Sequence, residues 1–206
     1  MAFKRAALAV FLSLWTSVSL GSEKESSSYF SDLLLNTSFN PSFWHLSGSV
    51  PAVHFNDEGD PYRLSLGMGY AVVPYDLILL TNVVYSYYDV NAVADNNPSS
   101  DIEGGSSHSL GVDLALRKSF STAKNINYYY EGGGGFQYMV SKPPFPADGS
   151  DENFTLFLGS GIVVPAGSKK RVTASVQWFH ISNANLFPDN SGYDGLQLVI
   201  GFERSL

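Results

Sequence analysis

The feature that most constrains this chain is period-2 alternation, repeated eight times. From Tyr62 to Val73 the even positions are Tyr62, Leu64, Leu66, Met68, Tyr70 and Val72, and the odd ones are Arg63, Ser65, Gly67, Gly69 and Ala71. Alternation of this kind marks a strand with two unlike faces, because successive side chains point to opposite sides of a sheet. Runs of the same type lie at Phe43–Val53, Tyr62–Val73, Leu77–Val90, Ser107–Lys118, Asn125–Val140, Asn153–Val164, Arg171–Ala184 and Gly195–Arg204. The first is the least regular, because Pro51 interrupts it. Helical periodicity is weak throughout.

The connectors decide what the strands build. Those after the second, fourth and sixth runs are short, "VPYD", "SFSTAK" and "PAGSK". Those after the third, fifth and seventh are long and polar, as in "NAVADNNPSSDIEGGS" and "SKPPFPADGSDE". Short turns at one end and long loops at the other is the pattern of a bacterial transmembrane β-barrel. The sequence therefore predicts an all-β fold, an eight-stranded antiparallel transmembrane β-barrel spanning residues 43–206. Its interior would carry Arg63, Asp113, Arg117, Glu131, Arg171 and Glu203, and its aliphatic and aromatic face would meet lipid. A soluble barrel of the lipocalin kind shares the alternation with the faces reversed. The loop asymmetry and the polar face of Gly, Ser and mixed charges favour the membrane version.

The N-terminus fits export. Lys4 and Arg5 precede the apolar run "AALAVFLSLWTSVSL", and small residues follow, so residues 1–21 read as a signal peptide. Residues 22–42 form an N-terminal extension whose role the sequence leaves open. The chain has 19 acids against 12 Lys plus Arg, which excludes the basic footprint of a nucleic-acid binder. It has no cysteine, so neither a disulfide framework nor thiol chemistry is available. His45, His54 and His108 show no metal-ligand spacing, and "EGGGG" lacks the Lys-Ser/Thr of a phosphate loop. No metal or cofactor is expected. The acids of the long loops read as a solvated face.

One polar constellation stands out in "QWFHISNANLFPDNSGYDGLQLVIGF". On the seventh run the odd positions Arg171, Thr173, Ser175 and Gln177 are polar and interior. Trp178, His180 and Ser182 then share the opposite, lipid-facing parity. On the eighth run the apolar parity of Leu196, Leu198, Ile200 and Phe202 extends back to Asp194. Runs seven and eight form a hairpin, so Ser182, His180 and Asp194 are expected together on the outside of the barrel, near an interface marked by Trp178. Ionisable groups facing lipid are costly and call for a functional reason. Serine beside a histidine that a carboxylate orients is the arrangement that activates a hydroxyl nucleophile. The plain alternative is a polar strand end where the apolar belt stops.

"HISNA", with an acid opening the following strand, resembles the signature of the lipid A 3-O-deacylase (PagL-type) outer-membrane family, H-x-S-N-A/G near the end of the penultimate strand. "YYYEGGGGFQY" resembles the fifth strand of the broader acyloxyacyl-hydrolase-like group. The resemblance implies a serine esterase that removes the 3-linked acyl chain of lipid A in the Gram-negative outer membrane, with lipopolysaccharide as substrate. Ser182 would be the nucleophile, His180 the base and Asp194 its partner. The segment after the nucleophile, Asn183, Ala184 and Asn185, together with Trp178, would supply oxyanion or substrate contacts. The chain departs from the family in three places. Asp194 is one methylene shorter than the usual Glu, and Asp189 or Asp151 could substitute for it. Asn185 stands where Gly is common, and "FERSL" lacks a terminal aromatic, a place Phe202 could take. Whether two copies pair as a homodimer stays open. The competing function is a non-enzymatic small barrel, adhesive or membrane-stabilising.

Overall fold

A computed structural model describes residues 37–55, 59–72, 76–90, 104–122, 126–142, 145, 150–184 and 192–206. The expected signal peptide and residues 22–36 lie outside the described residues. Eight strands follow in chain order: β1 (Thr37–His54), β2 (Gly59–Val72), β3 (Leu77–Val90), β4 (Gly105–Ser121), β5 (Asn127–Met139), β6 (Glu152–Pro165), β7 (Lys170–Ser182) and β8 (Tyr193–Ser205). Each pairs antiparallel with its neighbours in sequence, and β1 closes on β8, giving a closed barrel. Closure leaves no free strand edge, which is what a membrane-spanning sheet requires.

The two faces are sorted as the alternation predicts. Arg63, Asp113, Arg117, Glu131, Gln177 and Glu203 are buried, whereas Leu66, Val83, Leu110, Val112, Leu158 and Ile200 are exposed. A belt of apolar side chains turned outward around charges turned inward is unstable in water and stable in lipid. The lipocalin arrangement is therefore excluded.

Charges inside a barrel must be paired. Arg63 binds Asp113, whose other oxygen accepts from Thr155 Oγ1 at 3.1 Å. Arg117 bridges Glu131 and Glu203; Arg171 Nε approaches Glu203 at 3.0 Å, and Gln177 Nε2 donates to Glu131 at 3.1 Å. Aromatic rings complete the packing: the Arg63 guanidinium lies 4.6 Å from the Phe179 ring centroid and that of Arg117 4.4 Å from Tyr129. The lumen is a packed polar core with a residual cavity of about 40 Å³, more than a single water molecule needs.

Towards the long-loop end the filling becomes aromatic. Phe145, from the β5–β6 connector, is fully buried and stacks on Tyr88 at 4.3 Å and against Tyr193 at 5.3 Å. Tyr193 in turn meets Phe179. Phe145 is thus packed into the barrel beside Tyr193 at the start of β8. The glycines of "EGGGG" relieve crowding: a Cβ at Gly133 would sit 2.7 Å from both Ala115 Cβ and the Phe157 ring.

β1 is longer than its alternation suggests, beginning at Thr37. Register shifts at Pro41 and between Pro51 and Val53 let both prolines lie within the strand. β7 ends two residues earlier than the sequence suggests, at Ser182.

Candidate active site

Strand parity places the constellation. Phe179 and Ile181 are fully buried in the barrel, so Trp178, His180 and Ser182 point outward, close to the long-loop end of β7. In the β7–β8 register, His180 lies directly opposite Asp194 and Trp178 opposite Leu196. Directly opposed residues bring their Cβ atoms to about 4.5–5.5 Å. A short carboxylate can therefore reach the imidazole.

The contacts form a chain. Ser182 Oγ lies 2.9 Å from His180 Nε2, and His180 Nδ1 lies 3.2 Å from Asp194 Oδ2. The indole Nε1–H of Trp178 donates to Asp194 Oδ1 at 2.9 Å. The Trp178 and His180 rings are 5.9 Å apart and 20° from parallel. The side chains of His180 and Asp194 are 26% and 42% exposed, so the group is open to the surrounding phase and yet ordered by its own contacts. With a carboxylate on Nδ1, the proton of a neutral imidazole sits there, and Nε2 is left to accept from the serine hydroxyl.

The backbone turns immediately after the serine. Ala184 has φ 56°, in the left-handed region that non-glycine residues rarely occupy. Ala184 itself is exposed, and Asn183 is buried at 1% exposure, continuing the inward parity of Phe179 and Ile181. Asn185 and Asp189 lie outside the described residues. Asp151 is bound by Lys142 and is not at the imidazole, so among the described acids Asp194 is the one that faces His180.

Two features of the site were missed in the sequence. Gly192, with φ 65°, packs against it: a Cβ there would lie 3.5 Å from His180 Cε1 and 3.7 Å from Ser182 Cβ. A glycine ahead of a strand whose second residue is the acid was the available signal. The bond between Trp178 and Asp194 is the other: the residue that the sequence offers for oxyanion or substrate contact also touches the acid.

A transmembrane β-barrel with a Ser–His–acid chain on its lipid-facing surface falls within the class of outer-membrane barrel hydrolases. The lipid A 3-O-deacylase (PagL) family model matches residues 81–203, more than half of the chain, and the chain belongs to that family. Among solved structures, the outer-membrane enzyme PagL is 21% identical, with a TM-score of 0.55 over 79% of this chain and 99% of that one. Neisserial surface protein A (NspA) is 15% identical, with a TM-score of 0.52 over 80% of this chain and 97% of that one. At these identities the likeness is one of fold. No curated protein sequence matches the chain.

Proposed function

We propose that the protein is a lipid A 3-O-deacylase, a serine esterase working from the outer face of the barrel with Ser182 as nucleophile. The observation that carries this function is His180, which lies within hydrogen-bond reach of both Ser182 and Asp194 on a surface that otherwise meets lipid. A polar strand end has no need of that convergence. A substrate embedded in the same bilayer explains why the group faces outward.

His180 Nε2 removes the Oγ proton as Ser182 attacks the ester carbonyl. The tetrahedral oxyanion collapses, and the leaving sugar alkoxide takes the proton from Nε2. The acyl group stays on Ser182 until a water, deprotonated by the same nitrogen, attacks it; the fatty acid then leaves as Ser182 Oγ takes the proton back from Nε2. Asp194 holds the Nδ1–H and stabilises the imidazolium. The backbone N–H groups at the Asn183–Ala184 turn are the donors we assign to the oxyanion, a contribution of about 3–4 kcal/mol where such donors have been removed in other enzymes.

The test is mass spectrometry of lipid A from Gram-negative cells expressing the wild type or Ser182→Ala. Loss of one 3-linked hydroxyacyl chain with the wild type alone supports the assignment. Lipid A left intact by a wild-type barrel that is folded in the outer membrane would exclude it and favour a non-enzymatic role.

A further inference from the structure

The tryptophan beside the histidine has a part that neither interface anchoring nor substrate contact explains. Building on the serine-esterase function proposed above, we infer that Trp178 is a positioning residue for the catalytic acid. Its indole N–H locks the Asp194 carboxylate in the rotation that presents the other oxygen to His180.

Asp194 is short, two-fifths exposed and set at the rim of the apolar belt. A carboxylate in that place is free to turn about its own side-chain torsions towards bulk water. Trp178 removes that freedom. It sits two residues before His180 on the same face of β7, diagonal to Asp194 across the β7–β8 pair, a separation that aromatic side chains span. The result is a carboxylate gripped from one strand by two rings, indole on Oδ1 at 2.9 Å and imidazole on Oδ2 at 3.2 Å.

The choice of indole is chemically apt. Indole N–H is a donor only, so it cannot accept the Nδ1 proton or compete for it. It carries no charge, so it leaves the carboxylate negative and able to stabilise the imidazolium. Lying nearly parallel to the imidazole, it also restricts that ring's rotation. Asp194 has a single methylene with which to settle against the imidazole, and the tryptophan supplies the order that so short a side chain lacks.

The test uses the full chain in detergent micelles with lipid A as substrate, comparing wild type, Trp178→Phe, Asp194→Ala, the double variant and Ser182→Ala. Phenylalanine keeps the ring and deletes the N–H. Trp178→Phe is expected to lower kcat about tenfold with KM unchanged, whereas in the Asp194→Ala background the same change should alter kcat less than about twofold, because the two residues act as one unit. Where turnover is too slow to read, the rate at which an alkyl fluorophosphonate labels Ser182 gives the same comparison. An unchanged kcat in Trp178→Phe, an effect confined to KM, or an equal loss in both backgrounds would overturn the inference. Activity surviving in Ser182→Ala would instead overturn the serine-esterase function itself, so the two failures are distinguishable.

Discussion

His180 and Asp194 face each other across the β7–β8 pair, with Nδ1 3.2 Å from Oδ2. Their being direct register partners ties the site to the barrel wall: whatever holds the two strands in register holds the imidazole to its carboxylate. Asp194→Asn keeps the size of the side chain and removes its charge. It is expected to lower kcat by up to about 10⁴ with little change in KM, the loss seen when the acid of such a chain is neutralised. Steady-state kinetics on lipid A in micelles measures it, and activity within about twofold of wild type would mean that another acid serves the histidine.

His180→Ala removes the base outright. A loss of at least about 10³ in kcat is expected, while the barrel keeps its fold because the side chain lies outside the packed lumen. Lipid A turnover, read beside the heat-dependent gel shift of folded barrels, separates lost chemistry from lost structure.

Inside the lumen, Arg117 is the shared partner of Glu131 and Glu203. Arg117→Met would leave the buried Glu131 without a cation and Glu203 with Arg171 alone. Removing one side of a buried ion pair typically costs about 3–5 kcal/mol. Urea unfolding of the barrel in lipid vesicles should show a loss of that size, and an unchanged midpoint would mean that the lumen is wetter and more forgiving than its packing indicates.

The lipid face makes the opposite prediction. Leu158 is 62% exposed in the middle of β6, and Leu158→Arg would set a charge in the hydrocarbon at a cost of about 2–4 kcal/mol. The same vesicle measurement checks it. A neutral result would place this surface in water.

Parity carried much of this structure because it is a local property. Each run of alternating residues declares its two faces, so the polar lumen and the outward Ser182 and His180 can be read from the chain alone. β3 has the same bounds in sequence and structure, Leu77–Val90, although apolar residues occupy both of its faces and Leu79 and Leu80 are both buried. β1 hides its first residues, because register shifts on either side of Pro41 reset the alternation there. β7 keeps its parity as far as Asn183, but the positive φ of Ala184 ends the strand, and no pattern of side chains announces a backbone angle. Register is not local. Which residue of β8 meets His180 depends on how the hairpin closes, so the Trp178–Asp194 bond emerges only in three dimensions. The pairing of Arg63 with Asp113 is hidden for the same reason, since it joins β2 to β4 across the lumen.

The measurement that tests the central claim most directly is covalent trapping in the membrane. A long-chain alkyl fluorophosphonate partitions into the bilayer and reacts only with an activated serine hydroxyl. Peptide mass spectrometry of the treated outer membrane should find the phosphonyl adduct on Ser182 in the wild type and none in His180→Ala. An adduct on another serine, or on Ser182 equally in both proteins, would contradict a nucleophile activated by His180 on the lipid-facing surface.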